Sequence, residues 1–283
     1  MIKEIKKVTD LCFELAEIRK SKKKISLVPT MGNLHEGHLS LIKYAQNISD
    51  YTVVSIFVNP TQFVAGEDFD EYPRTLDSDI ESISKLNVDL VFMPDTEEIY
   101  PVNDQASNEV PVSELESIHC GKYRPGHFRG VATVVSKLFD MVKPDIAIFG
   151  EKDYQQLLII RSLVKSLFLP IEIIGLPTVR EKSGLAMSSR NNYLSQSDRQ
   201  RAPMLHECIK TTIKSIKNGV IDYVYLEKEA KFFLEKAGFK IDYYSICDLD
   251  TLRAPINENL VILAAVWLGK TRLIDNARVH TYD

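Results

Sequence analysis

The sequence predicts an α/β fold: a doubly wound parallel sheet followed by a smaller C-terminal α+β domain. Three observations carry that expectation. Short apolar runs alternate with helix-period segments through the first two thirds of the chain. Those runs are nearly continuous, as in strands buried on both faces of a parallel sheet. After Pro177 the texture changes to long polar helices followed by grouped strands. The 283 residues suit two domains better than one. The expected division is 1–178 and 179–283.

Taken in order, Asp10–Lys20 places Leu11, Leu15 and Ile18 on one side of a helix. Ile25–Val28 is a short buried strand, and Leu39–Gln46 is the helix after it. Tyr51–Val58 is a stronger strand, rich in β-branched and aromatic residues. Ser78-x-x-Glu81 has the form of a capping box, opening a helix that ends near Leu86. Val88–Phe92 and Asp145–Phe149 are further strands. Between them, Val131, Val134, Val135, Leu138, Phe139 and Val142 define a helix from near Arg129 that Pro144 stops. Asp153–Ser166 is a helix and Ile171–Gly175 a strand. In the second domain, helices are expected over Ser197–Lys217 and Asp222–Ala237, then strands at Lys240–Cys247, Val261–Trp267 and Arg272–Ile274.

Composition narrows the function classes. With 45% hydrophobic and 26% charged residues the chain reads as a well-packed globule rather than a disordered one. A net charge of −4 argues against a general nucleic-acid surface but leaves room for a local cationic cluster that binds a small polyanion. Cys12, Cys120, Cys208 and Cys247 form no C-x-x-C pair, so neither a zinc ribbon nor a disulfide scaffold is readable. The N-terminus lacks a signal-peptide core, and the most apolar run, Leu260–Leu268, is far short of a membrane span. A soluble, cytoplasmic protein with no membrane partner is expected.

Five segments look chemical, and all fall near predicted strand ends, where α/β sheets bind ligands. Met31-Gly32-Asn33-Leu34-His35-Glu36-Gly37-His38 follows the first buried strand and puts His35 and His38 at a helix start. A helix N-terminus favours anions, and two imidazoles there add donors for phosphate oxygens. The spacing is neither that of a zinc pair nor a glycine-rich phosphate loop, which leaves phosphate binding or a pair of structural loop histidines. Met187-Ser188-Ser189-Arg190 offers two hydroxyls and a guanidinium, either for phosphate or as a solvated loop with a capping serine. In Gly150-Glu151-Lys152-Asp153-Tyr154-Gln155-Gln156, Lys152 suits phosphate, while Asp153 suits ribose hydroxyls or a helix cap. Gln62 in Asn59-Pro60-Thr61-Gln62 suits a hydroxylated or carboxylated substrate; the bland alternative is turn chemistry around Asn59-Pro60. Tyr123-Arg124-Pro125-Gly126-His127-Phe128-Arg129-Gly130 forms either a site wall or a helix start.

Together these segments resemble one family, the pantothenate synthetases (pantoate–β-alanine ligases) of the HIGH-motif nucleotidyltransferase group. The likeness lies in PTMGNLHEGH (29–38), VSIFVNPTQF (54–63), YPRTL (72–76), RPGHFRGV (124–131), FGEKDYQQL (149–157) and SSRNNYLS (188–195), with AAVWLGKTRLIDN (264–276) in the second domain. The resemblance implies a Rossmann-like first domain that binds nucleotide and pantoate, and a second domain that covers the active site. It implies a ligase that joins (R)-pantoate to β-alanine with ATP, by way of pantoyl adenylate, releasing AMP and pyrophosphate.

By the same resemblance His38 and His35 face the ATP phosphates as catalytic groups, with Lys152 and Arg190. Met31 and Gly32 belong to the nucleotide loop, Gly150 and Asp153 hold the ribose, Val179 the adenine, and Met187, Ser188, Ser189 and Arg190 form a second phosphate segment. Gln62 and Gln156 bind pantoate. Mg2+ is implied by the ATP chemistry, with Asp79 one candidate ligand, and a homodimer is implied. The Val64–Asp70 loop and the second domain are expected as moving covers. Two other readings remain: a related nucleotidyltransferase acting on a phosphorylated small molecule, and a nucleotide-binding regulator without catalysis.

Overall fold

The structure is a computed structural model that describes residues 2–102 and 110–279. The chain divides into two compact units, Met1–Glu151 with Gln156–Pro177, and Lys152–Gln155 with Thr178–Asp283.

The first unit runs β1 (Lys3–Ile5), α1 (Val8–Lys20), β2 (Ile25–Thr30), α2 (Glu36–Ile48), β3 (Tyr51–Ile56), α3 (Leu76–Ser84), β4 (Leu90–Phe92), α4 (Thr96–Ile99), α5 (Cys120–Tyr123), α6 (His127–Val142), β5 (Ile146–Gly150), α7 (Tyr154–Ser166, from Gln156 on) and β6 (Glu172–Leu176). The six strands form one sheet in the order β1-β4-β3-β2-β5-β6, and every pairing is parallel. The chain steps from β2 outward to β3 and β4, then returns to β5 on the other side of β2. The strand order therefore reverses between β2 and β5, and the loops leaving their carboxyl ends run apart. Such a reversal is where a Rossmann-like sheet forms its ligand crevice.

Both faces of this sheet are covered, as the continuous apolar runs require. In β2, Leu27 and Val28 point to opposite faces, and each is 0% exposed. One face packs Val28, Val54, Val91, Ile146 and Ile148 against Ile42 and Ala45 of α2 and Ile83 of α3. Full burial of each Val or Ile in this cluster stabilises the unit by about 1.5–3 kcal/mol. Helix α6 buries Val131, Val135, Leu138, Phe139 and Val142, and ends at Lys143, whose φ of 43° turns the chain ahead of Pro144.

Some local expectations need correction. Ser78 does not open a helix. The cap position is Thr75, so Ser78 lies inside α3, where its carbonyl accepts from the Ser82 hydroxyl. Strand β1 is not predicted by the sequence pattern, because only Ile5 of its three residues is buried.

The second unit contains α8 (Gln196–Arg201), α9 (Met204–Lys217), α10 (Tyr223–Lys236) and the strands β7 (Lys240–Asp248), β8 (Leu260–Leu268) and β9 (Thr271–Val279). The single helix expected over 197–217 is two, interrupted around Pro203, which has no N–H to continue the ladder. The strands form an antiparallel sheet in the order β7-β8-β9, with Leu205, Ile209, Leu226, Leu234, Tyr244 and Ile262 in the core. The buried Tyr244 hydroxyl meets Thr212 Oγ1 at 2.7 Å, so neither is stranded. The strand expected at Arg272–Ile274 extends over all nine residues of β9. Its partly exposed residues alternate irregularly with buried ones, which hides its length.

Candidate functional site

The loop leaving β2 is shaped by two successive left-handed residues, Gly32 at φ 79° and Asn33 at φ 50°. Only glycine adopts the first without strain. A side chain there would also meet Asp79 Oδ2 at 3.0 Å. Successive N–H groups in such a turn form a small concavity for an anion, and Asp79 supplies it. Its Oδ2 accepts from Asn33 N at 2.9 Å and its Oδ1 from Leu34 N at 2.7 Å. Thr75 Oγ1 donates to Oδ2 at 3.2 Å. Asp79 is 3% exposed. With both oxygens engaged by backbone N–H groups, this carboxylate shapes the loop.

The loop delivers His35 to the N-cap of α2 and His38 to its first turn. His35 Nδ1 accepts from Gly37 N at 3.2 Å, and His38 Nδ1 accepts from His35 N at 3.3 Å. When Nδ1 accepts, the proton of a neutral imidazole sits on Nε2, so both rings carry a donor on the edge away from the helix backbone. The rings stack with centroids 4.1 Å apart and planes 29° from parallel. Two aligned N–H donors at the positive end of a helix dipole suit an anion that presents several oxygens.

Beside this loop lies the turn Pro60–Gln62, which follows β3. Its hub is Asn59, 1% exposed, read from the sequence only as turn chemistry. Its carboxamide donates to Gln62 Oε1 at 3.1 Å and to the Gly130 carbonyl at 3.2 Å. It accepts from Thr61 Oγ1 at 3.0 Å and from the Tyr100 hydroxyl at 2.7 Å. Gln62 Nε2 reaches Met31 Sδ at 2.9 Å, so two of the expected site residues touch. Helix α6 sits directly on the turn: a Cβ on Gly130 would lie 2.2 Å from the Thr61 carbonyl oxygen. Gly150 ends β5 opposite Leu176, with open space where a side chain would be. Gln156 is the third residue of α7 and is partly buried.

In the second unit, Lys152 and Asp153 belong to a single 3-10 turn. Asn276 Nδ2 holds the Lys152 carbonyl at 2.8 Å, and Asp153 is exposed. Val179 and Met187 face each other across a narrow two-sided loop, Met187 N donating to the Val179 carbonyl at 3.0 Å. The loop is anchored by Arg180, whose NH1 and NH2 grip Asp275 at 2.7 and 2.8 Å. Burial alone would raise the Asp275 carboxyl's pKa, but nearby His206, the Arg180 fork and the Asn276 N–H outweigh it and hold the value below the ordinary one. Ser188 Oγ accepts from Arg190 N at 3.3 Å and so caps the turn Ser189–Tyr193. That is the capping role the sequence left open. Ser189 is buried and Arg190 partly so. Among the described residues, no three His, Cys, Asp or Glu side chains converge as a metal site, and no helix is long and apolar enough to cross a membrane.

The model of the family described as pantoate-beta-alanine ligase matches residues 1–278 of this chain. The chain belongs to that family. Among similar pantoate–β-alanine ligases, the pantothenate synthetase of Hahella chejuensis is 50% identical over 278 residues, covering 98% of each chain. That of Neisseria meningitidis serogroup B is 50% identical over 268 residues, 94% of this chain and 96% of the relative. The crystal structure of pantothenate synthetase from Thermus thermophilus matches with a TM-score of 0.92 and 39% identity, covering 99% of this chain and 100% of that one. A Francisella tularensis pantoate-beta-alanine ligase, crystallised with beta-gamma ATP and beta-alanine, matches with a TM-score of 0.82 and 38% identity over 98% of both chains.

Proposed function

We propose that this chain is a pantothenate synthetase, condensing (R)-pantoate with β-alanine to pantothenate, AMP and pyrophosphate. The observation that carries the reading is the stacked His35–His38 pair, with both Nδ1 atoms turned to backbone N–H groups. A carboxylate is a poor acceptor for an amine, so the acid must first gain a leaving group. In the first step a pantoate carboxylate oxygen bonds to the α-phosphorus of ATP and the bond to pyrophosphate breaks, giving pantoyl adenylate. In the second, the β-alanine amine bonds to the activated carbonyl carbon, loses a proton, and AMP departs. Negative charge builds on phosphate oxygens during the first step, and preorganised donors placed there lower the barrier most.

Each residue then takes a role. His35 and His38 donate to phosphate oxygens, joined by Lys152, Arg190, Ser188 and Ser189. Met31, Gly32 and Met187 shape the nucleotide loops, Gly150 and Asp153 take the ribose, and Val179 takes the adenine through its backbone. Gln62 and Gln156 bind pantoate. Residues 1–178 carry nucleotide and pantoate recognition, and 179–283 the second phosphate segment. Mg2+ would enter with ATP and would neutralise charge on its phosphates. The enzyme works in the cytoplasm as a homodimer, and light scattering of the purified chain tests the oligomeric state.

The test is a product assay with ATP, pantoate and β-alanine. AMP, pyrophosphate and pantothenate in equal amounts are expected, and absence of AMP with all three substrates present would overturn the reading. ATP binding without turnover would mark a regulator, and nucleotide transfer to a phosphorylated small molecule a different transferase.

A further inference from the structure

Helix α6 opens with a histidine whose protonation is dictated by its neighbours. Arg124 NH1 lies 2.9 Å from His127 Nε2. A guanidinium only donates, so Nε2 accepts and the ring proton sits on Nδ1. That Nδ1–H donates to the Gln62 carbonyl at 2.7 Å. Two further Arg124 donors fork onto Glu67, Nε to Oε1 and NH2 to Oε2, the latter at 2.7 Å. Glu67 Oε2 also accepts from Val64 N at 3.3 Å, closing the loop on itself. The line is largely shielded, with His127 7% exposed and the Arg124 and Glu67 side chains 14% and 20% exposed.

We propose that Glu67, Arg124 and His127 are positioning residues for Gln62, so that pantoate recognition depends on the Val64–Asp70 loop being latched. The inference rests on the pantoate-binding role given to Gln62. Its physical content is a division of labour at one residue. Asn59 and Met31 hold the Gln62 carboxamide, while His127 holds its backbone. A side chain aimed at two hydroxyls and a carboxylate needs both ends fixed, because a shift of about 1 Å is costly in a preorganised site. The latch works only with the Nδ1–H tautomer, and the Glu67–Arg124 pair selects that tautomer.

Two substitutions separate the halves of the ring. The Asn carboxamide reaches the place of Nδ1, and the Gln carboxamide reaches the place of Nε2. His127→Gln keeps the Arg124 contact but drops the donor to Gln62, so the pantoate KM should rise about tenfold while the ATP KM stays constant. His127→Asn keeps the donor to Gln62 but gives up the Arg124 contact, so its pantoate KM should rise only about threefold, clearly less than in His127→Gln. Glu67→Gln leaves the fold's core untouched and should raise the pantoate KM about threefold, from loss of charge in the fork. Gln62→Ala is the control for the underlying role. If Gln62→Ala leaves the pantoate KM unchanged, the substrate assignment falls. If it raises that KM while His127→Gln and Glu67→Gln do not, the positioning proposal alone falls. Equal losses in both His127 variants, or an ATP KM rising in step, would reduce His127 to a packing role and overturn the proposal. Should His127→Gln fail to fold, Glu67→Gln decides by itself.

Discussion

Asp79→Asn isolates what the buried carboxylate does for the histidine loop. In the parent, two N–H groups, Asn33 at 2.9 Å and Leu34 at 2.7 Å, end on a charged acceptor. A carboxamide of the same shape keeps one acceptor and turns an NH2 toward the other N–H. One charge-assisted bond, worth about 1.5–3 kcal/mol, is lost, and the survivor drops to the neutral range near 1 kcal/mol. The sum is about 3 kcal/mol, concentrated in a turn whose Gly32 and Asn33 both sit at positive φ. Lost from folding, that amount lowers the melting temperature of a unit this size by about 6–12 °C. Lost from the presentation of His35 and His38 in the transition state, it lowers kcat/KM for ATP by about a hundredfold.

The assay is AMP formation at saturating pantoate and β-alanine, with ATP varied at several Mg2+ concentrations, beside a thermal melt. Loop shaping predicts a deficit that extra Mg2+ does not repair, because the missing group never touched the metal. Recovery of activity on raising Mg2+ would mark Asp79 as a metal ligand and refute the loop argument. A variant that melts earlier yet turns over normally below its melt would show that the chemistry tolerates a relaxed loop.

Three other outcomes follow from the same geometry. His38→Ala should cut kcat far more than it changes the ATP KM, because the Nε2 contact strengthens as phosphate charge builds; a pure rise in the ATP KM contradicts that. Gly130→Ala sets a Cβ 2.2 Å from the Thr61 oxygen and 2.7 Å from Gln62 N, both backbone atoms. Denaturant melts should register about 1–3 kcal/mol lost to overpacking, and the pantoate KM should rise; an unchanged melt and KM would mean the turn is not rigid. In the second unit, Asp275 titrates below its ordinary value, so its stabilisation is complete above the unfolded carboxyl's pKa, about 3.9, and fades as pH falls through the folded value. Asp275→Asn leaves Arg180 with no anion in a buried fork and should cost about 3–5 kcal/mol at neutral pH, converging with the parent in acid; parallel stability curves over the whole pH range would contradict this.

The parts of this fold that the sequence displays are those whose causes lie within a dozen residues. Helix α6 is legible because Val131 to Val142 repeat every three or four positions, and β2 and β3 because both faces are buried. His35 and His38 are legible for the same reason: a spacing of three at a helix start is a local fact. Strand β1 is not, since its pairing with β4 joins Ile5 to Phe92, and nothing in Lys3–Ile5 records a partner so far along the chain.

The start of α3 shows the same limit at the site. Ser78 and Glu81 match the capping pattern, but the helix begins earlier, with Asp79 inside it and drawn to a turn 45 residues away. Asn59 looks like turn chemistry until its carboxamide is seen to bind Gly130, 71 positions on. The two kinds of residue also differ in what they can be expected to do. Residues that meet phosphate or substrate carry their chemistry in their own side chains, so type and spacing betray them. Residues such as Asn59, Asp79 and Asp275 act through another residue's backbone or side chain, and folding alone brings that partner near. A chain can therefore be assigned a reaction from its motifs, while the rigidity that makes those motifs effective is read only from the hydrogen bonds of the folded molecule.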